Sequence, residues 1–276
     1  MVEINILIVI YNKLLNESET MQSLKNCKGI NKGDILLHIW NNSSKPLHIE
    51  ELEWMKSNFS NCKFSIYEDG INHYLSYVYN KMITVVSTES VLILLDHDSI
   101  LPASFLQDVN KAVFDEKNAD INLFLPLIFS HENVVSPAYE KLFQHSFDKS
   151  HVGRVESRDL MAINSGMCVR SVYLKTKFPG YNPRLKFYAT DNDFMLKYRK
   201  NNKYAYVLPS VIKHSLNFIE DDINSKVSRF KAMKEGAIII AKDNGCLSVI
   251  LEYLRFSYLI LKYSFVYRTL KFIGHA

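Results

Sequence analysis

Residues 91–102 read VLILLDHDSILP: five apolar residues run into Asp96, His97 and Asp98, and the chain then turns apolar again up to a proline. A short run of this composition predicts a buried strand, yet it ends in two acids that repel each other. In an extended segment residues i and i+2 point the same way, so Asp96 and Asp98 converge on one point while His97 faces elsewhere. Partly buried carboxylates at that spacing are costly unless a cation joins them. Oxygen ligands on a loop suit Mg²⁺ or Mn²⁺ better than zinc, and such an ion can in turn hold a diphosphate. The commoner use of an acid-x-acid triplet is a solvated turn or a cap for the helix that begins near Pro102. Position favours the metal, because a strand end of an α/β sheet is where its cleft opens.

Working outward, β-rich runs alternate with helical patterns. Strands are predicted at 4–10, 34–40, 62–67, 91–95 and 121–129, and helices at 16–27, 48–59, 71–87 and 102–116. The alternation predicts an α/β fold with a mostly parallel central sheet. The first, second and fourth strands each empty into a polar cluster, YNK from Tyr11, NNSSKP from Asn41 and DHDS from Asp96, so three strand exits are expected to line one cleft. Beyond them, 160–170 and 204–215 read as strands and 191–201 as a helix. The polar stretch 130–159 reads as a long loop or lid, and only helices are expected after about 221.

Composition narrows the function classes. The chain has 276 residues, 47% hydrophobic and 22% charged, with nine Gly and seven Pro, which describes a globular protein without low-complexity tracts. Cys27, Cys62, Cys168 and Cys246 lie far apart and form no CxxC pair, against a zinc knuckle or a disulfide scaffold. The opening MVEINILIVIYN carries an acid where a signal peptide needs bases and is expected to be a buried strand in a cytoplasmic protein. A formal charge of +4 with no dense basic block excludes nucleic acid as the expected partner.

Two further residues suit the chemistry. Asp191, in TDND at 190–193, stands at a helix start where Thr190 and Asp193 form the expected capping box. A carboxylate in the first turn is kept ionised by the helix dipole and can serve as a base if it faces the cleft. His214, in VIKHS, ends a strand-like run. A lone histidine is more often satisfied in the core or at the surface, but it becomes a metal ligand if its strand ends beside Asp98.

Taken together, 4 to about 215 resembles a family-2 glycosyltransferase of the GT-A fold, with matching pieces in family order. They are IVIYNK at 8–13, IWNNSS at 39–44, GINHYLSYVYNKMI at 70–83, LLDHDS at 94–99, INSGMCVR at 163–170, TDNDFMLKYR at 190–199 and VIKH at 211–214. The resemblance implies a single Rossmann-like GT-A domain over 1–220 with a C-terminal helical extension over 221–276. It implies that Tyr11, Asn41, Asn42, Asn80, Asp96 and His97 face the donor nucleotide, and that Asp96, Asp98 and His214 hold Mn²⁺ or Mg²⁺. Ser165, Gly166 and Asp193 would border the sugar and acceptor, and Asp191 would be the catalytic base of an inverting transfer. Asn41 stands where the family usually has Asp, Thr190 where it has Glu, and Lys197 where Arg is common. LDHDS is close to the pattern of the rhamnosyltransferase-like branch, which points to a deoxyhexose donor; the resemblance implies a UDP- or dTDP-sugar and a saccharide or lipid-linked acceptor in O-antigen or capsule synthesis.

Rival readings differ in sequence. A sugar nucleotidyltransferase needs a Gly-rich loop after its first strand, and VIYNKLLNES has no glycine; a haloacid-dehalogenase-type phosphatase carries its acid pair on the first strand, not the fourth. The non-enzymatic alternative is a degenerate transferase fold that binds nucleotide sugar or acts as a scaffold. The tail at 247–273, LSVILEYLRFSYLILKYSFVYRTLKFI, is too often interrupted by charge to span a bilayer. It is expected to cover the sheet, form a homodimer interface or dock on the inner face of the cytoplasmic membrane as a peripheral element.

Overall fold

Ile, Leu and Val fill six of the eight positions of β1 (Glu3–Ile10) and make it a strand apolar on both faces. Ile4, Ile6, Ile8 and Ile10 enter one core while Leu7 and Val9 enter another, so the first strand is central. Each fully buried side chain of this kind contributes about 2 kcal/mol over leaving it in water. The computed structural model describes residues 3–30, 34–130, 133–140, 144–146, 151–214 and 222–273.

From β1 the chain alternates: α1 (Glu19–Leu24), β2 (Ile35–Asn41), α2 (Ile49–Asn58), β3 (Lys63–Tyr67), α3 (Leu75–Val85) and β4 (Ser90–Asp96). A two-residue turn leads into β5 (Ser99–Ile100), followed by α4 (Phe105–Phe114) and β6 (Leu123–Ser130). Next come β7 (Asn133–Ser136), β8 (Ala138–Glu140), β9 (Gln144–Ser146), β10 (Gly153–Glu156), β11 (Leu160–Met161) and β12 (Cys168–Arg170). The chain continues through α5 (Ser171–Thr176), α6 (Thr190–Asn201), β13 (Tyr204–His214), α7 (Ile223–Asp243) and α8 (Cys246–Val266).

The main sheet runs β10-β13-β6-β12-β4-β1-β2-β3, with β5 on the end of β13 and β7 on β6. β4, β1, β2 and β3 are parallel, as are β6 and β13, while β12 lies antiparallel between β4 and β6. One face is packed by Met21 and Leu24 of α1, Met55 of α2 and Phe105, Leu106 and Val109 of α4. The other is packed by Val78, Tyr79 and Met82 of α3, Tyr173 and Leu174 of α5 and Phe194, Met195 and Tyr198 of α6. The result is the expected α/β fold with a mostly parallel sheet and C-terminal helices.

Three expectations need correction. The stretch 130–159 is not a structureless loop: among its described residues it forms β7 to β10, edge strands and a separate three-stranded sheet with β11. These short strands are only partly covered, so they lack the apolar period that announces a strand. The strand predicted over 160–170 is two strands split by a turn at Gly166, whose φ is +82°. A Cβ there would come within 2.6 Å of Pro126 Cγ and 2.7 Å of Ile212 Cδ1, so only glycine fits this close approach. Thr190 is not the N-cap of α6; that position is Ala189, in the left-handed region at φ 65°. The predicted boundary at 220 and the end of the strand at 215 lie outside the described residues, as do parts of 130–159.

The two last helices build a small core of their own from Val227, Phe230, Phe256, Ile260 and Phe272. They meet the sheet domain through Gly236, where a Cβ would lie 2.8 Å from Ala189 Cβ and 3.2 Å from Tyr188 O. Arg184 pairs with Asp243 at the end of α7 at 2.5 Å, and Asn182 donates to the same carboxylate at 2.8 Å. α8 stops at Val266, before Arg268 turns left-handed at φ 48°, so Arg268 and Lys271 do not extend its charged face.

Candidate metal centre and adjoining cleft

The acid triplet converges by a turn and not by strand alternation. β4 ends at Asp96, residues 97–98 turn, and β5 pairs antiparallel with the end of β13, matching Ser99 with His214. This pairing brings one ligand atom from each of Asp96, Asp98 and His214 within 4.8 Å of one another. The turn is pinned from α1: Ser18 Oγ donates to His97 O at 2.7 Å, Thr20 Oγ1 donates to Asp96 O, and Ser99 N donates to Thr20 Oγ1 at 2.9 Å. Ser99 Oγ then links Ser165 Oγ at 2.6 Å to His214 Nδ1 at 3.1 Å. Ser165 thus belongs to the same cluster, and Gly166 N donates to Leu94 O at 2.7 Å to fix the turn beneath it.

The electrostatics fit a cation. Burial lifts the Asp96 carboxyl from 3.8 to about 6, and Asp98 adds to the rise while His214 and His97 oppose it. Asp98 Oδ1 is buried and accepts no hydrogen bond; His214 Nδ1 lies 3.4 Å away. A buried carboxylate oxygen left so is expensive. Two carboxylates and an imidazole in this arrangement are a donor set for Mn²⁺ or Mg²⁺ with positions to spare for a ligand.

Asp191 lies in the first turn of α6 and lines a cavity of about 340 Å³ together with Asp96, Ser165 and His214. Its carboxyl is pushed up by burial, against the pull of backbone hydrogen bonds that include Asn192 N to Oδ1 at 2.9 Å. A base of raised pKa at a cleft is suited to accept a proton. Asp193 faces the other way: it is buried, pairs with Lys197 at 2.7 Å and accepts from Asn182 N at 2.9 Å. That explains the pair of acids in TDND, since the second holds the loop 180–182 while the first lines the cavity. Asn80 does a similar job from α3, with its amide exchanging two hydrogen bonds of 2.8 Å with the backbone of Tyr181.

The exits of β1 and β2 lie beside that of β4, with Val9 in register with Asp96 and Ile10 with Asn41. Tyr11 is exposed at this edge, and a second cavity of about 350 Å³ is lined by Asn12, Lys13, Asn41 and residues 43–48. Asn41 and Asn42 are both buried, and Asn41 forms part of its wall. Asn41 Nδ2 donates to Lys45 O at 2.8 Å and Glu68 at 3.1 Å, and Asn42 Nδ2 to Asn72 and His73 O, both at 2.9 Å.

Four cleft residues carried no sequence signal. Tyr79 and Asn164 sit one place from Asn80 and Ser165 but read as core; Asn164 Nδ2 donates to Thr190 Oγ1 at 2.9 Å while its Oδ1 is buried without a partner. Arg229 of α7 and Arg255 of α8 line the same cavity as Asp191 from helices that bear no motif.

No family model matches the sequence, and no curated protein matches it. Solved structures do match its fold. The chain is similar to S. aureus TarS 1–349 (TM-score 0.54, 13% identity, 86% of this chain and 65% of that one). It is similar to GalNAc-T7 with UDP, GalNAc and Mn²⁺ (TM-score 0.53, 13% identity, 78% of this chain and 44% of that one). A third is the mannosyltransferase PcManGT from Pyrobaculum calidifontis in complex with GDP-Man and Mn²⁺ (TM-score 0.61, 8% identity, 87% of this chain and 64% of that one). The chain spans under two-thirds of each of these proteins, and what it shares with them is the GT-A type of fold.

Proposed function

We propose that this chain is a metal-dependent, inverting glycosyltransferase that moves a sugar from a nucleotide-sugar donor to a saccharide acceptor. The observation that carries the proposal is the meeting of Asp96, Asp98 and His214 within 4.8 Å, at the rim of the cavity that Asp191 lines. The solved structures that share the fold support the donor class, since they include complexes with UDP-GlcNAc and with GDP-Man and Mn²⁺.

In this reading Asp96, Asp98 and His214 hold the ion, which when bound supplies positive charge next to the donor's diphosphate. Tyr11, Asn41, Asn42 and His97 border the nucleotide, and Ser165 and Gly166 border the sugar. Asn80 and Asp193 hold the 180–182 loop that closes the acceptor side. Asp191 takes the proton of the acceptor hydroxyl as its oxygen bonds to the anomeric carbon. The bond from that carbon to the phosphate oxygen breaks, its electron pair leaves with the nucleoside diphosphate, and attack from the opposite face inverts the configuration. Base catalysis of this kind supplies about 10² to 10⁴ in rate.

The tail supports a lipid-linked acceptor, as in O-antigen or capsule synthesis. Leu247, Ile250, Leu254, Leu261 and Phe265 are exposed along α8 at helical spacing, with Arg255 and Lys262 beside them. No helix among the described residues is long and apolar enough to cross a membrane, so docking on a surface is the mode this stripe suits.

Incubating the protein with UDP-, dTDP- and GDP-sugars, with Mn²⁺ or with chelator, tests the activity. Slow hydrolysis of one donor in Mn²⁺ alone is the expected result; no turnover of any donor under either condition would count against an enzyme and for a binding or scaffold role.

A further inference from the structure

We propose that Tyr74 and Phe187 form an aromatic subsite at the mouth of the Asp191 cavity that receives a pyranose ring of the acceptor; calling that sugar the acceptor rests on the glycosyltransferase reading above, while the ring-binding site itself rests on geometry. Tyr74 is the N-cap residue of α3, and Phe187 belongs to the segment before α6. Their rings meet edge to face, with centroids 5.7 Å apart and planes at 88°. Phe187 lines the same cavity as Asp191.

Both rings stay in water although the frame around them is tight. Tyr74 is 42% exposed and Phe187 39%. Other rings on this side of the sheet, Tyr173, Phe178, Tyr181, Phe194 and Tyr198, are buried against one another. Tyr77 is also exposed, but one of its faces is taken by His73, stacked on it at 4.4 Å. The Tyr74–Phe187 pair is held in place through its neighbours in sequence: Leu75 N donates to Lys186 O at 3.0 Å and Ser76 Oγ to Leu185 O at 2.5 Å. Rings fixed by such bonds and left uncovered lose little freedom when a ligand covers them.

A pyranose suits this place. Its C–H groups, polarised by the neighbouring oxygens, are attracted to the electron-rich face of an aromatic ring, while its hydroxyls radiate from the edge toward polar partners. Such partners line the cavity, in Asn164, Thr190 and Asn192. Asn164 Oδ1 is buried without a hydrogen bond, an acceptor that a sugar hydroxyl can satisfy. An apolar ring surface with a few polar groups to fix orientation is the usual make-up of a small-ligand site. The pair stands on the acceptor side, because this cavity shares no lining residue with the one beside Asn41, where the nucleotide is placed.

The experiment compares the full-length parent with Tyr74→Ala/Phe187→Ala and with Tyr74→Phe/Phe187→Tyr, which keeps both rings; thermal melting followed by circular dichroism checks that all three fold. Methyl pyranosides of glucose, galactose, N-acetylglucosamine and rhamnose are titrated without metal and followed by saturation-transfer NMR. At least one should bind the parent with saturation concentrated on its ring C–H protons, bind the Ala pair about five- to tenfold more weakly and bind the ring-keeping pair like the parent. No pyranoside bound by the parent, or equal affinity in parent and Ala pair, would overturn the subsite. UDP, dTDP and GDP titrated with Mn²⁺ separate the two readings. A nucleotide that loses as much affinity as the pyranoside in the Ala pair would give the rings to the donor and overturn the acceptor assignment. Failure of every nucleotide to bind the parent with Mn²⁺ would remove the glycosyltransferase reading, while the pyranoside arm would still judge the rings.

Discussion

His214 Nδ1 lies 3.4 Å from Asp98 Oδ1 because β5 returns antiparallel to β13 and sets Ser99 opposite His214. The backbone pairing of two residues is enough to place the end of the last strand against the turn after the fourth, more than a hundred residues away. What it leaves unfilled is an oxygen of Asp98, buried and without a hydrogen bond. A divalent cation would satisfy that oxygen and separate the two repelling acids.

The first prediction concerns pH. The folded Asp96 carboxyl, raised from 3.8 to about 6 chiefly by burial, keeps its proton where the unfolded chain has lost it. Its contribution to stability is therefore complete below about pH 4 and disappears as pH climbs through about 6. Urea unfolding from pH 4 to 8 without divalent ions should show the parent losing stability relative to Asp96→Asn across that window. Mn²⁺ at pH 7 to 8 should restore the parent and leave the variant unchanged. A difference that is constant with pH would be inconsistent with the raised carboxyl.

Asp191→Asn keeps the size of the side chain and removes the base. Transfer should fall by about 10² to 10⁴, with donor affinity retained by calorimetry. Because the Asp191 carboxyl is raised by burial, the parent's transfer rate should rise with pH as the carboxyl ionises, and that rising limb should vanish in the variant. Undiminished transfer by Asp191→Asn would eliminate it as the base.

Gly236→Ala tests the seam between the C-terminal helices and the cleft. The new Cβ would meet Ala189 Cβ at 2.8 Å, and neither that atom nor the backbone of Tyr188 can swing away. Overpacking of about 1 to 3 kcal/mol should outweigh the roughly 1 kcal/mol that alanine adds to a helix. A lower melting temperature and a higher acceptor KM are expected, since Ala189 caps the helix that carries Asp191. A more stable, fully active variant would mean that α7 does not press on this loop.

The exposed stripe of α8 predicts membrane-surface binding. Sedimentation with liposomes containing anionic lipid should carry down the parent and not Leu254→Glu/Leu261→Glu, with both remaining folded. If the parent stays in the supernatant and elutes as a dimer that the double variant breaks, the stripe is a contact between copies of the chain.

The alternation of the first half and the place of the acid triplet were legible in sequence, because runs such as INILIVI and VLILLD need only local periodicity to be read. The convergence of His214 was legible only as a condition on its strand, since β5 is two residues long and leaves no pattern. TDND illustrates what composition hides: Asp191 and Asp193 look equivalent, yet one lines the cavity and the other binds Lys197 and the 180–182 loop. Arg229 and Arg255 could not be found at all. Their place in the cavity lining depends on how the two last helices pack beside it, and an arginine on such a helix reads as a solvated face.

The account is tested most directly by titrating UDP, dTDP and GDP into the parent and Asp98→Ala, each with Mn²⁺ and with chelator. At least one nucleotide should bind the parent only when Mn²⁺ is present, and Asp98→Ala should lose that binding while melting no lower than the metal-free parent. Nucleotide binding indifferent to Mn²⁺, or untouched by loss of Asp98, would contradict it.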